Sequence, residues 1–356
     1  MNEELIDEDL INEVLVRQLN DYTLGRFKDR RLLKDFPEEL GKRVIGQKEA
    51  VSCMINAVLR AEYGLARSGR PLGVYLFAGP TGVGKTELAK AVADTAFDGN
   101  LIRIDMSEYS TRWSASRLLG SNPGYVGFGD TRTLVDMVNE KPKSIILLDE
   151  IEKAYPTIYD LFLQVFDDGR LTDGAGNTGD FTRSLIIMTS NLGFTGSSAK
   201  RIRVSGFGAD ESFDDVVEAR VRDAVSSFFR PEFLNRMDGQ VIFRSLKPDE
   251  IRRITEIGIK EKLECLSSSD IGVNVTIEPE VIGFIAEKYY DEANGARPIS
   301  RGIEREIGDR LVEGLRNRDF QRLDSVTFAV RDGELILDVE SAFEPDDEAE
   351  QLDVPF

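Results

Sequence analysis

The sequence predicts an α/β protein, with a parallel sheet covered by helices and then a small, mainly helical lid closed by a hairpin. Three observations carry that expectation. Strand-length apolar runs alternate with helical patterns over residues 40–243, the arrangement of a sheet whose crossover helices cover its faces. The octet Gly79-Pro80-Thr81-Gly82-Val83-Gly84-Lys85-Thr86 lies between a strand-like run at 74–78 and a helix-like run at 87–94. The acid pair Asp149-Glu150 closes a further apolar run at 145–148.

In chain order, residues 1–39 read as a helical extension, with Leu5, Ile6, Leu10, Ile11, Val14, Leu15 and Leu19 at helical spacing. Its polar face is acidic, which suits packing on the following domain and not a membrane surface. Residues 40–243 form the large, nucleotide-binding subdomain. Residues 244–341 form the lid, with three helical patterns and then two strands around the turn at Asp332-Gly333. Residues 342–356 read as a disordered tail, with six acids and no Lys or Arg between Glu344 and Asp353. Its closing Val354-Pro355-Phe356 is a candidate docking peptide.

The octet satisfies G-x-x-x-x-G-K-[ST] in its proper strand–turn–helix context. Its glycines let backbone N–H groups turn inward around the β- and γ-phosphates, Lys85 supplies a compact positive charge, and the Thr86 hydroxyl suits Mg²⁺. A nucleoside triphosphate with Mg²⁺ is the expected ligand. A phosphate-loop ATPase also needs a carboxylate at the end of a neighbouring buried strand, and Asp149 is placed to hold the metal through water. Glu150 beside it is placed to activate the attacking water as general base. A second buried strand at 184–190 ends in Asn191, which suits hydrogen bonding to the γ-phosphate or water, although Asn at a strand end is also an ordinary turn former.

Composition removes other chemistries. The chain of 356 residues contains no histidine, which excludes histidine triads, imidazole-based zinc sites and imidazole pH switches. Its two cysteines are far apart and match no metal spacing. A formal charge of −19 argues against broad contact with nucleic acid or anionic membrane. No apolar run of ~18 residues and no leader pattern is found, so a cytoplasmic location is expected.

The chain resembles the second ATPase module of the Clp-type AAA+ unfoldases and disaggregases, the ClpA, ClpB and ClpC proteins. The shared stretches are Arg43-Val-Ile-Gly-Gln47, the phosphate loop, Ile104-Asp-Met-Ser-Glu108, Pro123-Gly-Tyr-Val-Gly127, Leu147-Leu-Asp-Glu-Ile-Glu-Lys-Ala154, Leu163-Gln-Val-Phe-Asp-Asp-Gly-Arg-Leu-Thr-Asp173, Phe229-Arg-Pro-Glu-Phe-Leu-Asn-Arg236 and Gly295-Ala-Arg-Pro298. The resemblance implies that Arg236 is an arginine finger offered to a neighbour's γ-phosphate, so that catalysis needs a homo-oligomeric ring, hexameric in the family. Arg230 is a candidate auxiliary. Arg297 matches the lid arginine that contacts nucleotide in its own chain, and Val44 and Ile45 match the stretch that sandwiches the adenine. Gly124, Tyr125, Val126 and Gly127 match the pore loop that grips a translocating polypeptide. The Gly-rich segment 167–181 resembles the lower pore loop; without the family it reads as a solvated hairpin.

Protein clients are the implied partners, with an adaptor or a Clp-like peptidase as further candidates. Several positions depart from the pattern. Tyr155 and Trp113 stand where histidine is common, and Phe128-Gly-Asp-Thr-Arg132 replaces the usual acidic and double-glycine run. Ser205-Gly206-Phe207 stands where peptidase-docking members carry hydrophobic-Gly-hydrophobic. Neither a peptide-binding N-terminal domain nor a first ATPase ring is seen in this sequence, so a single ring is expected. Alongside the unfoldase reading stand a regulatory ATPase subunit of a Clp-like protease, a nucleotide-gated assembly switch and a nucleic-acid-directed AAA+ ATPase.

Overall fold

A computed structural model describes residues 30–120, 132–194, 213–267, 273–291, 294–317, 319–320 and 324–341. The amphipathic run of 5–19, the pore-loop residues Gly124, Tyr125, Val126 and Gly127, the Ser205-Gly206-Phe207 tripeptide and the acidic tail lie outside the described residues.

Helix α1 (Arg30–Arg43) runs unbroken across the boundary expected at residue 39. Phe36 and Leu40 are buried in the core, and Arg43 donates to Glu87 (2.8 Å) and Asp94 (2.7 Å). Helix α2 (Lys48–Glu62) follows. Strand β1 (Gly73–Ala78) leads into the phosphate loop and helix α3 (Lys85–Ala96). Next come β2 (Leu101–Asp105), short helices α4 (Ser114–Leu119) and α5 (Leu134–Glu140), and β3 (Ile145–Asp149). A Thr133–Asp136 capping box starts α5, satisfying orphan N–H groups reciprocally. Helix α6 (Pro156–Asp168) begins on Pro156, whose missing N–H has no consequence in a first turn. It is followed by β4 (Arg170–Thr172), β5 (Thr178–Asp180) and β6 (Leu185–Ser190), then α7 (Phe213–Phe228), α8 (Pro231–Leu234) and β7 (Gly239–Ile242).

All described pairings within the main sheet are parallel, and its order is β2-β3-β6-β1-β7. Strands β1, β3 and β6 are buried along their whole length, as a sheet covered on both faces requires. Alternation divides their side chains between two cores. Tyr75, Phe77, Ile145, Leu147, Leu185 and Ile187 pack with α1 to α3 and the lid. Val74, Leu76, Ile146, Leu148, Ile186 and Met188 pack on the opposite face with α5 to α7. The registers Ala78↔Ser190 and Leu148↔Met188 bring the ends of β1, β6 and β3 to one edge. That edge carries the phosphate loop, Asn191 and the acid pair.

The remaining helices are α9 (Pro248–Ser267), α10 (Pro279–Tyr289), α11 (Arg297–Ile303) and α12 (Arg310–Asn317), the last two joined by a π-helical turn, Glu304–Asp309. Strands β9 (Ser325–Arg331) and β10 (Glu334–Glu340) form the expected antiparallel hairpin. Its turn residues Asp332 and Gly333 both have positive φ, 53° and 80°, the geometry that matches strand twist in a two-residue hairpin. The lid differs from expectation by one strand. β8 (Asn274–Ile277) pairs in parallel with β9 and makes a three-stranded sheet. Within segment 167–181, after the end of α6, β4 and β5 form a hairpin in whose turn the Asp173 carboxylate accepts from the N–H groups of Ala175 (2.9 Å) and Asn177 (2.8 Å).

Candidate active site

The phosphate loop is shaped by three local features. Gly82 and Gly84 have φ of 72° and 106°, conformations that only glycine adopts without strain. With Gly84 at the N-cap of α3, no side chain caps the helix, so its first N–H groups remain available for an anion. Buried Gln47 staples the loop from behind, donating to Val83 O (3.3 Å) and Arg244 O (2.9 Å).

Lys85 is buried, and its Nζ donates to Gly79 O (2.6 Å), Pro80 O (2.7 Å) and Asn191 Oδ1 (2.8 Å). Burial brings its pKa down to about 8, opposed by the charges of Glu152 and Asp149 and assisted by that of Arg297. The neighbouring carboxylates are likewise engaged. Asp149 accepts from Arg103 Nη2 (2.6 Å) and Nε (3.2 Å) on one oxygen and from the Thr189 hydroxyl on the other. The Glu150 carboxylate pairs with Lys153. Its backbone is left-handed, φ 55° and ψ 50°, and its N–H donates to Thr189 Oγ1 (3.0 Å). A non-glycine residue in this region is strained by roughly 1–2 kcal/mol, and the strain falls on the residue expected to activate water.

A single cavity of about 630 Å³ gathers this chemistry. Thr81, Gly82, Val83, Gly84, Lys85 and Thr86 line it together with Asp149, Glu150, Asn191, Arg297, Val44 and Ile45. The buried Val44 and Ile45 give it an apolar wall. Gly79 and Pro80 contribute the carbonyls that hold Lys85. Backbone contact joins the lid to this cavity: Ala296 N donates to Gly82 O (3.0 Å). Arg236 does not line the cavity. It lies in a separate pocket with Arg60, Arg67, Arg70 and Asp238. Neither Trp113 nor Tyr155 lines the cavity.

The fold also gives roles to residues to which the sequence assigned none. Arg103 and Thr189 both hold Asp149. Glu152 accepts the N–H of Asn191 (2.9 Å), fixing the strand end that carries it. The sequence signal for Arg103 is a cation at the outward position of β2, alternating with the buried Ile102 and Ile104. Among the described residues no group of three or more His, Cys, Asp or Glu side chains is arranged to cage a metal. One carboxylate and one hydroxyl beside a phosphate site do suit Mg²⁺, which takes few protein ligands and completes its shell with phosphates and water.

Known proteins share this organisation. Residues 70–240 match the family model described as AAA domain (Cdc48 subfamily), and residues 246–328 match that of the C-terminal, D2-small domain of ClpB protein. The chain belongs to the Clp-type AAA+ family. Its relatives include "Chaperone protein ClpB 1" of Synechococcus elongatus, 42% identical over 306 residues, covering 85% of this chain and 34% of that protein. "Chaperone protein ClpB" of Streptomyces albus G is 45% identical over 295 residues, 81% of this chain and 33% of the relative. The ClpB of Mesorhizobium japonicum is 43% identical over 318 residues, 88% and 35%. This AAA+ chain thus spans about a third of the length of these curated relatives. Among the described residues no helix is long and apolar enough to cross a membrane.

Proposed function

We propose that this AAA+ chain hydrolyses Mg²⁺-bound ATP at the interfaces of a homo-oligomeric ring, a hexamer, and uses the work to thread or remodel protein clients through its pore. The observation that carries the reading is the division of the catalytic groups. The phosphate loop from Thr81 to Thr86, Asp149, Glu150, Asn191, Arg297, Val44 and Ile45 line one cavity, whereas Arg236 stands outside it, as a group serving a neighbour's site would.

In this reading the first-turn N–H groups of α3 and Lys85 bind the β- and γ-phosphates, and Val44 and Ile45 take the base. Thr86 and Asp149 would hold Mg²⁺, which neutralises charge on the phosphates. Glu150 leaves Lys153, accepts a proton from the attacking water and thereby directs the water's oxygen to the γ-phosphorus; ADP departs with the electrons of the broken P–O bond. Asn191 keeps Oδ1 on Lys85 and has its Nδ2 amide to orient the water. Arg297 reports nucleotide to the lid, and Arg236 stabilises transition-state charge in the adjoining subunit. Residues 40–243 and 244–341 act as the two subdomains that change angle. Tyr125, with Gly124, Val126 and Gly127, grips the client backbone. Protein clients fit the acidic chain better than nucleic acid or membrane does, and a cytoplasmic setting fits an ATP-driven machine.

The test is ATP turnover with and without unfolded casein, with Glu150→Gln as the blank. Stimulation by casein that is lost in Tyr125→Ala supports a polypeptide-gripping pore. Turnover indifferent to casein refutes it and favours a nucleotide-gated assembly switch.

A further inference from the structure

At the end of α6, Asp167 is shared between two arginines from distant parts of the chain. One carboxylate oxygen accepts from Arg70 Nη2 (2.8 Å) and the other from Arg236 Nε. Arg236 is held on a second edge, where Nη1 donates to Glu232 O (2.7 Å). Among the described residues no group bonds its Nη2, and the side chain is about one-third exposed. The guanidinium is therefore held at Nε and Nη1, which leaves Nη2 for a further acceptor.

The elements around this contact are fixed too. Phe233 of α8, three residues before Arg236, packs on Tyr159 and Phe166 of α6, with ring centroids 5.3 and 5.5 Å apart. The turn before Arg70 is equally close to the end of α6. A Cβ on Gly169 would lie 2.8 Å from Gly69 O. The C-terminal carbonyls of α6 favour cations nearby, and Arg60, Arg67, Arg70 and Arg236 line one pocket of about 110 Å³. In a chain of net charge −19 this is a local concentration of positive charge. At its opposite end, α6 begins shortly after the Asp149-Glu150 pair, and Tyr159 OH donates to Ile151 O (2.9 Å).

We infer that Asp167 is the positioning residue of the Arg236 finger. It holds the guanidinium in the geometry that meets the adjoining subunit's triphosphate and orders Arg70 beside it, on a helix anchored next to the chain's own acid pair. This rests on the interfacial reading of Arg236 given above. An unrestrained arginine loses rotamer freedom on being ordered, and a misplacement near 1 Å at a catalytic contact costs about 10²-fold in rate. Holding the finger in advance removes both penalties from the reaction. A merely structural Asp167 would harm the chain that carries its substitution; a positioning residue harms the neighbour's site.

Mixed rings separate the two. Glu150→Gln subunits keep a sound finger but cannot hydrolyse, whereas Arg236→Ala subunits keep a sound hydrolytic site but offer no finger. Mixing them raises turnover above either alone if the finger acts in trans. Substituting Asp167→Ala into the Glu150→Gln subunits is expected to abolish that rise. Asp167→Ala subunits mixed with Glu150→Gln subunits are expected to regain turnover, because their own sites are intact. Melting temperature and binding of a fluorescent ATP analogue, measured also on the shape-conserving Asp167→Asn, are expected to stay near those of the unsubstituted chain. If the doubly substituted subunits rescue Arg236→Ala as well as Glu150→Gln alone does, or if Asp167→Ala is not rescued, the assignment is overturned. Failure of Glu150→Gln itself to rescue Arg236→Ala instead removes the interfacial reading, and the role of Asp167 with it.

Discussion

Gly295→Ala tests whether the backbone contact between lid and phosphate loop sets nucleotide affinity. Gly295 has φ 61°, and a Cβ there would lie 2.4 Å from Thr81 O and 2.8 Å from Gly82 C and O. These atoms are loop backbone and cannot swing aside. Ordinary contact begins near 3.4 Å, so the lid must retreat by about 1 Å, far enough to weaken the Ala296 N–Gly82 O bond of 3.0 Å. The left-handed backbone costs an alanine roughly 1 kcal/mol, and the bond is worth about 1 kcal/mol. Together they amount to about 2 kcal/mol, or ~30-fold in affinity if the closed lid is the binding-competent state. The assay is titration with a fluorescent ATP analogue. Gly333→Ala is the control, since φ there is 80° but nothing lies within 4 Å; it shares the backbone strain without the contact. Equal affinities for Gly295→Ala and the unsubstituted chain would refute the reasoning, as would an equal loss in Gly333→Ala.

Other expectations follow from the charges of the site. Glu150→Gln should bind ATP and stay assembled while turnover falls at least ~10²-fold, the scale of general-base catalysis; retained hydrolysis would exclude Glu150 as the activating group. Lys85, with its pKa brought down to about 8 by burial, should lose its proton in the nucleotide-free protein above that pH, whereas a bound triphosphate should keep it charged. ATP affinity should therefore hold below pH 8 and weaken about tenfold by pH 9, and titrations across that range in parallel with Lys85→Ala, expected to be weak and pH-independent, check this. For folding the sign is also defined: the unfolded chain binds the proton more tightly, so this group's contribution to stability rises with pH between about 8 and 10.5. Arg103→Met should free Asp149 for metal, tightening Mg²⁺ dependence of ATP binding severalfold while lowering the melting temperature of the metal-free protein; unchanged Mg²⁺ dependence would show that Arg103 does not compete for the carboxylate.

How much the sequence disclosed depended on how local each signal was. Strands β1, β3 and β6 were legible because burial on both faces leaves continuous apolar runs, and the phosphate loop was legible because glycine, lysine and hydroxyl must follow one another directly. The position of β6 between β3 and β1 was not, since a crossover leaves no mark in either strand. β8 escaped notice because it is short and half exposed, although Val273, Val275 and Ile277 alternate. Arg103, Glu152, Thr189 and Asp167 were hidden for a related reason. Each owes its role to a partner tens of residues away, reached through strand register or through the packing of α6 on α8.

Three charged groups of this cavity are held by other groups of the chain itself. Lys85 is held by carbonyls of its own loop, Asp149 by Arg103 and Thr189, and Glu150 by Lys153. In the proposed cycle, arrival of a triphosphate is an exchange of partners, and its net gain is the difference between two sets of contacts. The same ledger runs backwards at departure, when ADP leaves behind groups that re-pair instead of standing bare. In the proposed cycle, a site arranged this way trades tightness for turnover, and its occupancy is expected to follow the surrounding ATP to ADP ratio.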